Sequence, residues 1–267
     1  MKIRLNLFPE GRKRALTMSY DDGADSDERL VEIFNRCGIK GTFHLNSSRL
    51  NLAGMERNGK KSGLYEGHEV SAHTKSHPHP KELPDTELIE EILGDRTALE
   101  ELCGYPVRGM SYPFGEYTEH IMEIARLCGM EYGRTVAATG GFALPENFME
   151  WHPTAHHNAD LQTLWDRFMR AGSGPEDPEL LFYLWGHSFE FDRQDNWQVI
   201  ENFCRMAGGR DDIWYATNIE IKDYVTALRG LVFGAKRDMA YNPSCIDVWI
   251  TADGQPVRVK AGSLTRW

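Results

Sequence analysis

The sequence is short of positive charge and cysteine and has no long apolar run, and each shortage argues against a class of protein. Its 30 Lys and Arg face 40 Asp and Glu, and the resulting net charge of −10 disfavours binding to phosphate backbones and anionic lipid surfaces. The longest purely apolar stretch, residues 180–185, is far shorter than the roughly 20 residues that cross a bilayer. We therefore expect neither a nucleic-acid partner nor a membrane-embedded chain.

The cysteines carry no disulfide or metal signature. Cys37, Cys103, Cys128, Cys204 and Cys245 are scattered, odd in number and form no CxxC pair, so buried reduced thiols are expected. The first residues contain no sustained apolar segment and no small-residue cleavage site. Together these features predict a cytoplasmic protein.

Alternating strand and helix patterns run to about residue 230. An apolar strand at 15–20 is followed by a helix with Asp25 as N-cap that stops at Gly38. Further strands are predicted at 41–45, 67–72, 107–112, 131–135, 148–151, 180–185 and 213–217. The intervening helices are predicted after caps at Asp85 and Thr118, near 160–171, and at 194–206 and 220–228. This alternation indicates an α/β fold, a distorted (β/α) barrel of about seven parallel strands over residues 1–230. Residues 231–267 read as a small C-terminal β appendage packed on the barrel.

Two motifs at predicted strand ends have the composition of a metal site. Tyr20-Asp21-Asp22-Gly23 places adjacent carboxylates after the first strand, so that one can bind a cation while the other acts as a base. His73-Thr74-Lys75-Ser76-His77 follows the strand at 67–72, and two histidines four apart on one helical turn share a face. Parallel strands bring such ends to one edge of the sheet.

Two further motifs end neighbouring strands. The segment 108–115 runs Arg-Gly-Met-Ser-Tyr-Pro-Phe-Gly, and its Arg108 is expected to pair with a carboxylate. The apolar strand at 180–185 leads through Gly186 to His187. Glu190 and Asp192 follow that histidine and are expected to be solvated or to line the rim of the site.

These four segments resemble the polysaccharide deacetylase family, also called the NodB-homology domain or carbohydrate esterase family 4. Its Asp-Asp-Gly motif is similar to residues 21–23, and its His-[Ser/Thr]-x-x-His motif is matched in full by residues 73–77. Its Arg…Pro-Tyr/Phe-Gly motif resembles Arg108 with residues 112–115, at a wider gap than usual, and its late histidine resembles His187. The likeness covers about residues 10–230.

The resemblance implies a TIM-like barrel and a metal-dependent hydrolase that removes an N-acyl group, above all N-acetyl, from an amino-sugar glycan. Asp22, His73 and His77 would hold one divalent cation, Zn²⁺ (zinc) first, with Co²⁺, Ni²⁺, Mn²⁺ or Fe²⁺ as alternatives. Asp21 would be the general base, and Arg108 would keep it ionised. The backbone N–H of Tyr112 would stabilise the oxyanion, and His187 would protonate the leaving amine.

One family motif, an Asp and Trp pair that tunes the catalytic histidine, has no clear counterpart. Residues 151–153 (Trp-His-Pro) and 155–157 (Ala-His-His) lie in the corresponding region, and the sequence does not identify the residue that assists His187. Two alternatives therefore stay open: hydrolysis of small cyclic amides or ureides, as in allantoinase-like relatives, and a non-catalytic carbohydrate-binding protein. The expected partner is a carbohydrate or another N-acylated substrate. The sequence leaves the oligomeric state open between a monomer and a homo-oligomer.

Overall fold

The computed structural model describes residues 2–172, 174 and 176–267. The α-helices of these residues are α1 (Asp27–Cys37), α2 (Leu52–Met55), α3 (Asp85–Cys103), α4 (Glu119–Leu127), α5 (Leu161–Arg170), α6 (Phe189–Arg193), α7 (Gln198–Ala207) and α8 (Asn218–Arg229). The strands are β1 (Ile3–Leu7), β2 (Arg14–Asp21), β3 (Gly41–Leu45), β4 (Glu69–Ala72), β5 (Gly109–Ser111), β6 (Tyr132–Arg134), β7 (Ala155–His156), β8 (Leu180–His187), β9 (Ile213–Tyr215), β10 (Val232–Phe233), β11 (Met239–Tyr241), β12 (Val248–Ala252), β13 (Gln255–Val259) and β14 (Leu264–Arg266).

The main sheet is parallel and confirms the predicted α/β barrel. Its strands lie in the order β6-β5-β4-β3-β2-β8-β7, and β9 pairs with the first half of β2. Strands β2 and β8 are the central pair, in register from Arg14 opposite Leu180 to Asp21 opposite His187. Both are buried along nearly their whole length, which is why β8 reads as a continuous apolar run and why even Thr17 and Ser19 of β2 are buried.

The segment 151–157 joins the two ends of this sheet. Trp151 donates its N–H to Gly133 O at 2.9 Å and accepts the N–H of Thr135 at 3.0 Å, next to β6. Thr154 donates to Tyr183 O at 2.8 Å, on β8. The sheet therefore curls into a distorted barrel. The strand predicted at 148–151 is wrong in form, because residues 148–150 make a 3₁₀ turn and Trp151 alone bridges to β6.

The C-terminal segment forms two small antiparallel sheets. One has the order β1-β12-β13 and the other β10-β11-β14. Strand β1 lies within the predicted 1–230 unit but pairs with β12 of the 231–267 segment. The predicted boundary at residue 230 therefore divides the β1-β12-β13 sheet. An apolar cluster containing Phe8, Tyr224 and Val248 packs the β1-β12-β13 sheet against α8. Strand β1 was not predicted, although Ile3, Leu5 and Leu7 alternate with polar residues; local alternation does not show its pairing partner, which is more than 240 residues away along the chain.

Several predicted helix ends are confirmed and others are displaced. Thr118 caps α4 and accepts the N–H of Ile121 at 3.1 Å. The helix predicted with Asp25 as cap begins instead after Ser26, and Asp85 is the first residue of α3 rather than its cap. The helix predicted at 194–206 is α7, which begins four residues later at Gln198, and the short α6 before it was not predicted. The break between α6 and α7 includes Asp195, whose φ of 47° lies in the left-handed region.

The apolar faces of the helices pack on the outside of the barrel. Leu30 and Phe34 of α1 and Phe203 of α7 belong to one buried cluster with Phe182 of β8. All five cysteines are free, with Cys128 and Cys204 buried, Cys37 and Cys103 partly buried and Cys245 exposed. None of the helices in the described residues is long and apolar enough to cross a membrane.

Candidate active site

Three potential metal ligands meet at the carboxyl edge of the barrel. One ligand atom each of Asp22, His73 and His77 lies within 4.8 Å of the others. The Oδ1 of Asp22 is 3.6 Å from Nε2 of His73 and 3.8 Å from Nε2 of His77. Ligands about 2.1 Å from one ion are separated by roughly 3 to 4 Å, so these spacings suit a shared cation. The structure therefore contains a candidate site for one divalent metal.

The surroundings of this cluster fit a metal ion. The Oδ1 of Asp22 is buried and has no hydrogen-bond partner among the described residues, which is costly unless a cation satisfies it. The Nδ1 of His73 lies 2.9 Å from the carbonyl oxygen of Ser111. Donation of the Nδ1 proton to that carbonyl leaves Nε2 as the ligand atom, as is usual for metal-binding histidines. Burial, as the largest cause, lowers the pKa of His73 to about 4, which keeps the imidazole neutral.

The two histidines converge through a loop and not through a helix. Residues 73–79 contain no helical turn, and the expectation that one helical turn presents both rings is wrong. Thr74 and His77 instead have φ values of 63° and 60°. These left-handed residues turn the chain back, so that the rings of His73 and His77 lie 4.8 Å apart at their centroids.

Asp21 is the spare carboxylate beside the three ligands. It is the last residue of β2 and is almost completely buried, and its Oδ2 lies 3.7 Å from Nε2 of His73. Burial alone would raise the pKa of Asp21, but the guanidinium of Arg134 and then the neighbouring His73 bring it well below its usual range. Ser111 donates its hydroxyl to Oδ1 at 3.2 Å. Asp21 is therefore ionised and held in one orientation.

The arginine that pairs with Asp21 is Arg134, and the prediction of Arg108 for this role is wrong. Arg108 precedes β5, at the far end of the barrel, and donates to Glu131 at 2.7 Å and to Asp223 at 2.7 Å. Arg134 ends β6, is fully buried and contacts Oδ2 of Asp21. Its guanidinium also stacks on the ring of Trp185, 4.5 Å from the centroid.

Tyr112 does not offer the free N–H predicted for it. Its backbone N–H donates to the carbonyl of Arg134 at 3.1 Å, in continuation of the β5–β6 pairing. Its hydroxyl donates to Met149 O at 2.8 Å, and the side chain is buried. Tyr112 thus supports the edge of the barrel, and the prediction that it donates to an oxyanion is not supported by this geometry.

His187 lies opposite Asp21 in the β2–β8 register and faces the site. Its Nδ1 is 2.9 Å from Oε1 of Glu190, three residues further on in α6. Burial lowers the pKa of His187, but the hydrogen bond with Glu190 and the negative charges of Asp21 and Asp22 outweigh it, so that the pKa is raised overall. Glu190 is therefore a partner of His187 and not a solvated rim residue.

The sequence did not predict Arg134 for the site, and it placed Glu190 at most at the rim. The signal for Arg134 was a lone arginine at the end of the predicted 131–135 strand, where a buried cation requires a carboxylate. The signal for Glu190 was its i, i+3 spacing from His187, which is within reach on a helical turn. Both signals were weak, because an arginine at a strand end and a glutamate three residues after a histidine are both common on ordinary protein surfaces.

Comparisons with known proteins agree with this fold. Residues 9–133 match the family model described as polysaccharide deacetylase. A peptidoglycan-N-acetylglucosamine deacetylase of Bacillus cereus is 27% identical over 115 residues, which are 42% of this chain and 41% of that protein. Chitin deacetylase 1 of Cryptococcus neoformans is 27% identical over 119 residues, 44% of this chain and 25% of its own length. The chain therefore spans less than half the length of these curated relatives.

Solved structures extend the likeness over most of the chain. A putative polysaccharide deacetylase from Mycobacterium smegmatis superposes with a TM-score of 0.62 at 18% identity, covering 83% of this chain and 93% of that one. At this identity the match describes the fold. The architecture is thus that of a parallel α/β barrel with a candidate metal centre at its carboxyl edge. More specifically, residues 9–133 are similar to the polysaccharide deacetylase family.

Proposed function

We propose that this protein is a metal-dependent hydrolase that removes N-acetyl groups from an amino-sugar glycan. The single observation that carries the proposal is the placement of Asp22, His73 and His77 around one point, with the ionised Asp21 beside them. A binding protein needs ligands for its partner but no buried carboxylate held ready to accept a proton. The curated relatives named as deacetylases of peptidoglycan N-acetylglucosamine and of chitin support the substrate class.

Asp22, His73 and His77 would hold the metal. When bound there, a divalent cation would lower the pKa of a water molecule and polarise an acyl oxygen. The set of two imidazoles and one carboxylate suits Zn²⁺, and Co²⁺, Ni²⁺, Mn²⁺ or Fe²⁺ as alternatives.

The roles of the other residues follow from their contacts. Asp21 takes a proton from the attacking water, and Arg134 keeps it ionised for that purpose. His187 gives a proton to the departing amine, because an amide nitrogen does not leave as an anion. Asp21 and His187 lie opposite each other on β2 and β8, so the proton acceptor and the proton donor flank the same edge of the barrel.

The experiment is acetate release from an N-acetylglucosamine tetramer by metal-loaded protein. We expect Asp21→Asn to abolish turnover while it retains the metal, and His77→Ala to lower the metal content as well. Full activity of Asp21→Asn would overturn the proposal. Hydrolysis of allantoin without acetate release would favour the cyclic-amide alternative, and tetramer binding without turnover would favour a binding protein. The cytoplasmic location stays a prediction.

A further inference from the structure

Three imidazoles surround the single carboxylate of Glu190. The Nδ1 of His187 lies 2.9 Å from its Oε1. On the other oxygen, Oε2, the Nε2 of His157 lies at 2.9 Å and the Nε2 of His156 at 3.3 Å. His157 is fully buried, and the side chain of Glu190 is 20% exposed. One oxygen of the Glu190 carboxylate thus contacts His187, and the other contacts the two histidines at the end of β7.

The group of His156, His157 and Glu190 also has the composition of a second metal site. Its ligand atoms lie within 4.8 Å of one another, as they do in the first site. Metal-binding histidines usually donate their second ring N–H to an oxygen, as His73 is placed to do toward Ser111. The Nδ1 of His156 instead accepts the backbone N–H of Asn158 at 3.3 Å.

The tautomers of this group therefore favour hydrogen bonding over metal binding. With Nδ1 of His156 accepting, the ring proton of the neutral imidazole resides on Nε2, which faces Glu190. Neither ring nitrogen of His157 meets hydrogen-bond geometry within the described residues, but Nε2 lies 2.9 Å from Oε2 of Glu190, so the ring proton is expected on Nε2. Gly186 makes room for this ring, because a Cβ there would lie 2.1 Å from Nδ1 of His157.

We propose that Glu190 is a positioning residue for His187, and that His156 and His157 fix the orientation of Glu190. Oε1 of Glu190 accepts the Nδ1 proton of His187, which leaves Nε2 as the nitrogen that exchanges a proton with substrate. The titratable groups that face His187 are Asp21 and Asp22 at the end of β2, Glu190 of α6 and the imidazoles of His156 and His157 at the end of β7. The role in catalysis rests on the proposed function, whereas the role in orienting His187 does not.

The test follows the His187 ring by ¹⁵N NMR in the full chain, with His187→Gln as the assignment variant. Glu190→Gln keeps the shape of the side chain and removes its charge, and Asp195→Asn removes a charge from the same segment as a matched control. We expect the pKa of His187 to fall by about one unit or more in Glu190→Gln and to stay at the wild-type value in Asp195→Asn. His156→Gln retains the Glu190 carboxylate but removes one of the two imidazoles that orient it. This variant is expected to lower the pKa of His187 by less.

Activity on the N-acetylglucosamine tetramer gives the second readout. Glu190→Gln is expected to lower kcat by about 100-fold with little change in KM, and to move the alkaline limb of the pH profile to lower pH. Glu190→Asp is expected to recover part of the loss. Metal analysis is expected to show one equivalent in the wild type, in Glu190→Gln and in His156→Gln.

Two results would overturn the inference. One is an unchanged His187 titration and pH profile in folded Glu190→Gln, or in His156→Gln should Glu190→Gln not fold. The other is a second metal equivalent in the wild type that His156→Gln removes. A wild-type protein without acetate release would reject the proposed function alone, because the NMR titration still decides the positioning role of Glu190.

Discussion

The guanidinium of Arg134 contacts Oδ2 of Asp21 inside the barrel, and neither side chain is more than 3% exposed. The two residues are 113 positions apart, on β6 and β2. A buried carboxylate without a partner would take up a proton or destabilise the fold. The pair therefore links the stability of the barrel to the charge of the proposed base.

Arg134→Gln is expected to impair both folding and activity. Removal of one partner from a buried ion pair costs about 3–5 kcal/mol, and an Asp21 without its cation is no longer held ionised. We expect a lower free energy of unfolding in urea and a loss of acetate release. Arg108→Gln is the matched control, because Arg108 is 31% exposed and its pairs contribute about 1 kcal/mol or less each. Equal losses in the two variants would contradict the assignment of Arg134.

Removal of one imidazole from the metal cluster is expected to be selective within the histidine-rich loop. His77→Ala removes one of three ligands and should lower the bound zinc measured by elemental analysis to well below one equivalent. His79→Ala is the matched control, since His79 stacks on Phe114 at 3.8 Å between ring centroids and is not one of the three ligands. A metal content that falls with His79 and not with His77 would reject the cluster.

Asp27 is expected to make stability depend on pH. Burial, opposed by hydrogen bonds from Ser188 and Tyr65, raises the pKa of Asp27 to about 7. In the unfolded chain the pKa of an aspartate side chain is about 3.9. Between these values the folded state retains a proton that the unfolded state has lost. This contribution is complete below about pH 4 and is lost as the pH rises to about 7, at no more than ~1.4 kcal/mol per pH unit.

The measurement is urea unfolding of wild type and Asp27→Asn between pH 4 and pH 8. The variant cannot titrate at this position, so the difference in free energy of unfolding between the two proteins should change in favour of the variant as the pH rises. Asp25→Asn, at an exposed neighbouring position, should follow the wild type at every pH. A constant difference between wild type and Asp27→Asn would show that Asp27 is ionised throughout.

Gly186→Ala is expected to disturb the histidines behind Glu190. The new methyl group would lie 2.1 Å from Nδ1 of His157, and overpacking of this kind costs about 1–3 kcal/mol. Displacement of His157 should also lower acetate release. Gly141→Ala is the control, because its Cβ would lie 3.6 Å from Oγ1 of Thr139, an ordinary contact. Wild-type unfolding and activity for Gly186→Ala would mean that the His157 ring moves freely, against its proposed role.

Local signals in the sequence were sufficient for most barrel elements and for the three proposed ligands. The strand at 41–45 and the Thr118 cap were located to the residue because short-range patterning determines them. The pairing of β1 with β12 was missed because it joins the two ends of the chain. The assignment of Arg108 failed for a related reason, since spacing within a motif does not show which end of the barrel an arginine reaches.

What the sequence by itself determined was which residue types end each strand: carboxylates at the end of β2, histidines after β4 and a histidine at the end of β8. Parallel pairing brings such ends to one edge, so the site could be located before its geometry was known. Only the tertiary structure decided which cation meets Asp21 and which acid meets His187. Those contacts depend on the order and register of the strands, and the partner of Asp21 is 113 residues away along the chain. Because hydrogen bonds and ion pairs act over a short range, a shift of an ångström or two would break them.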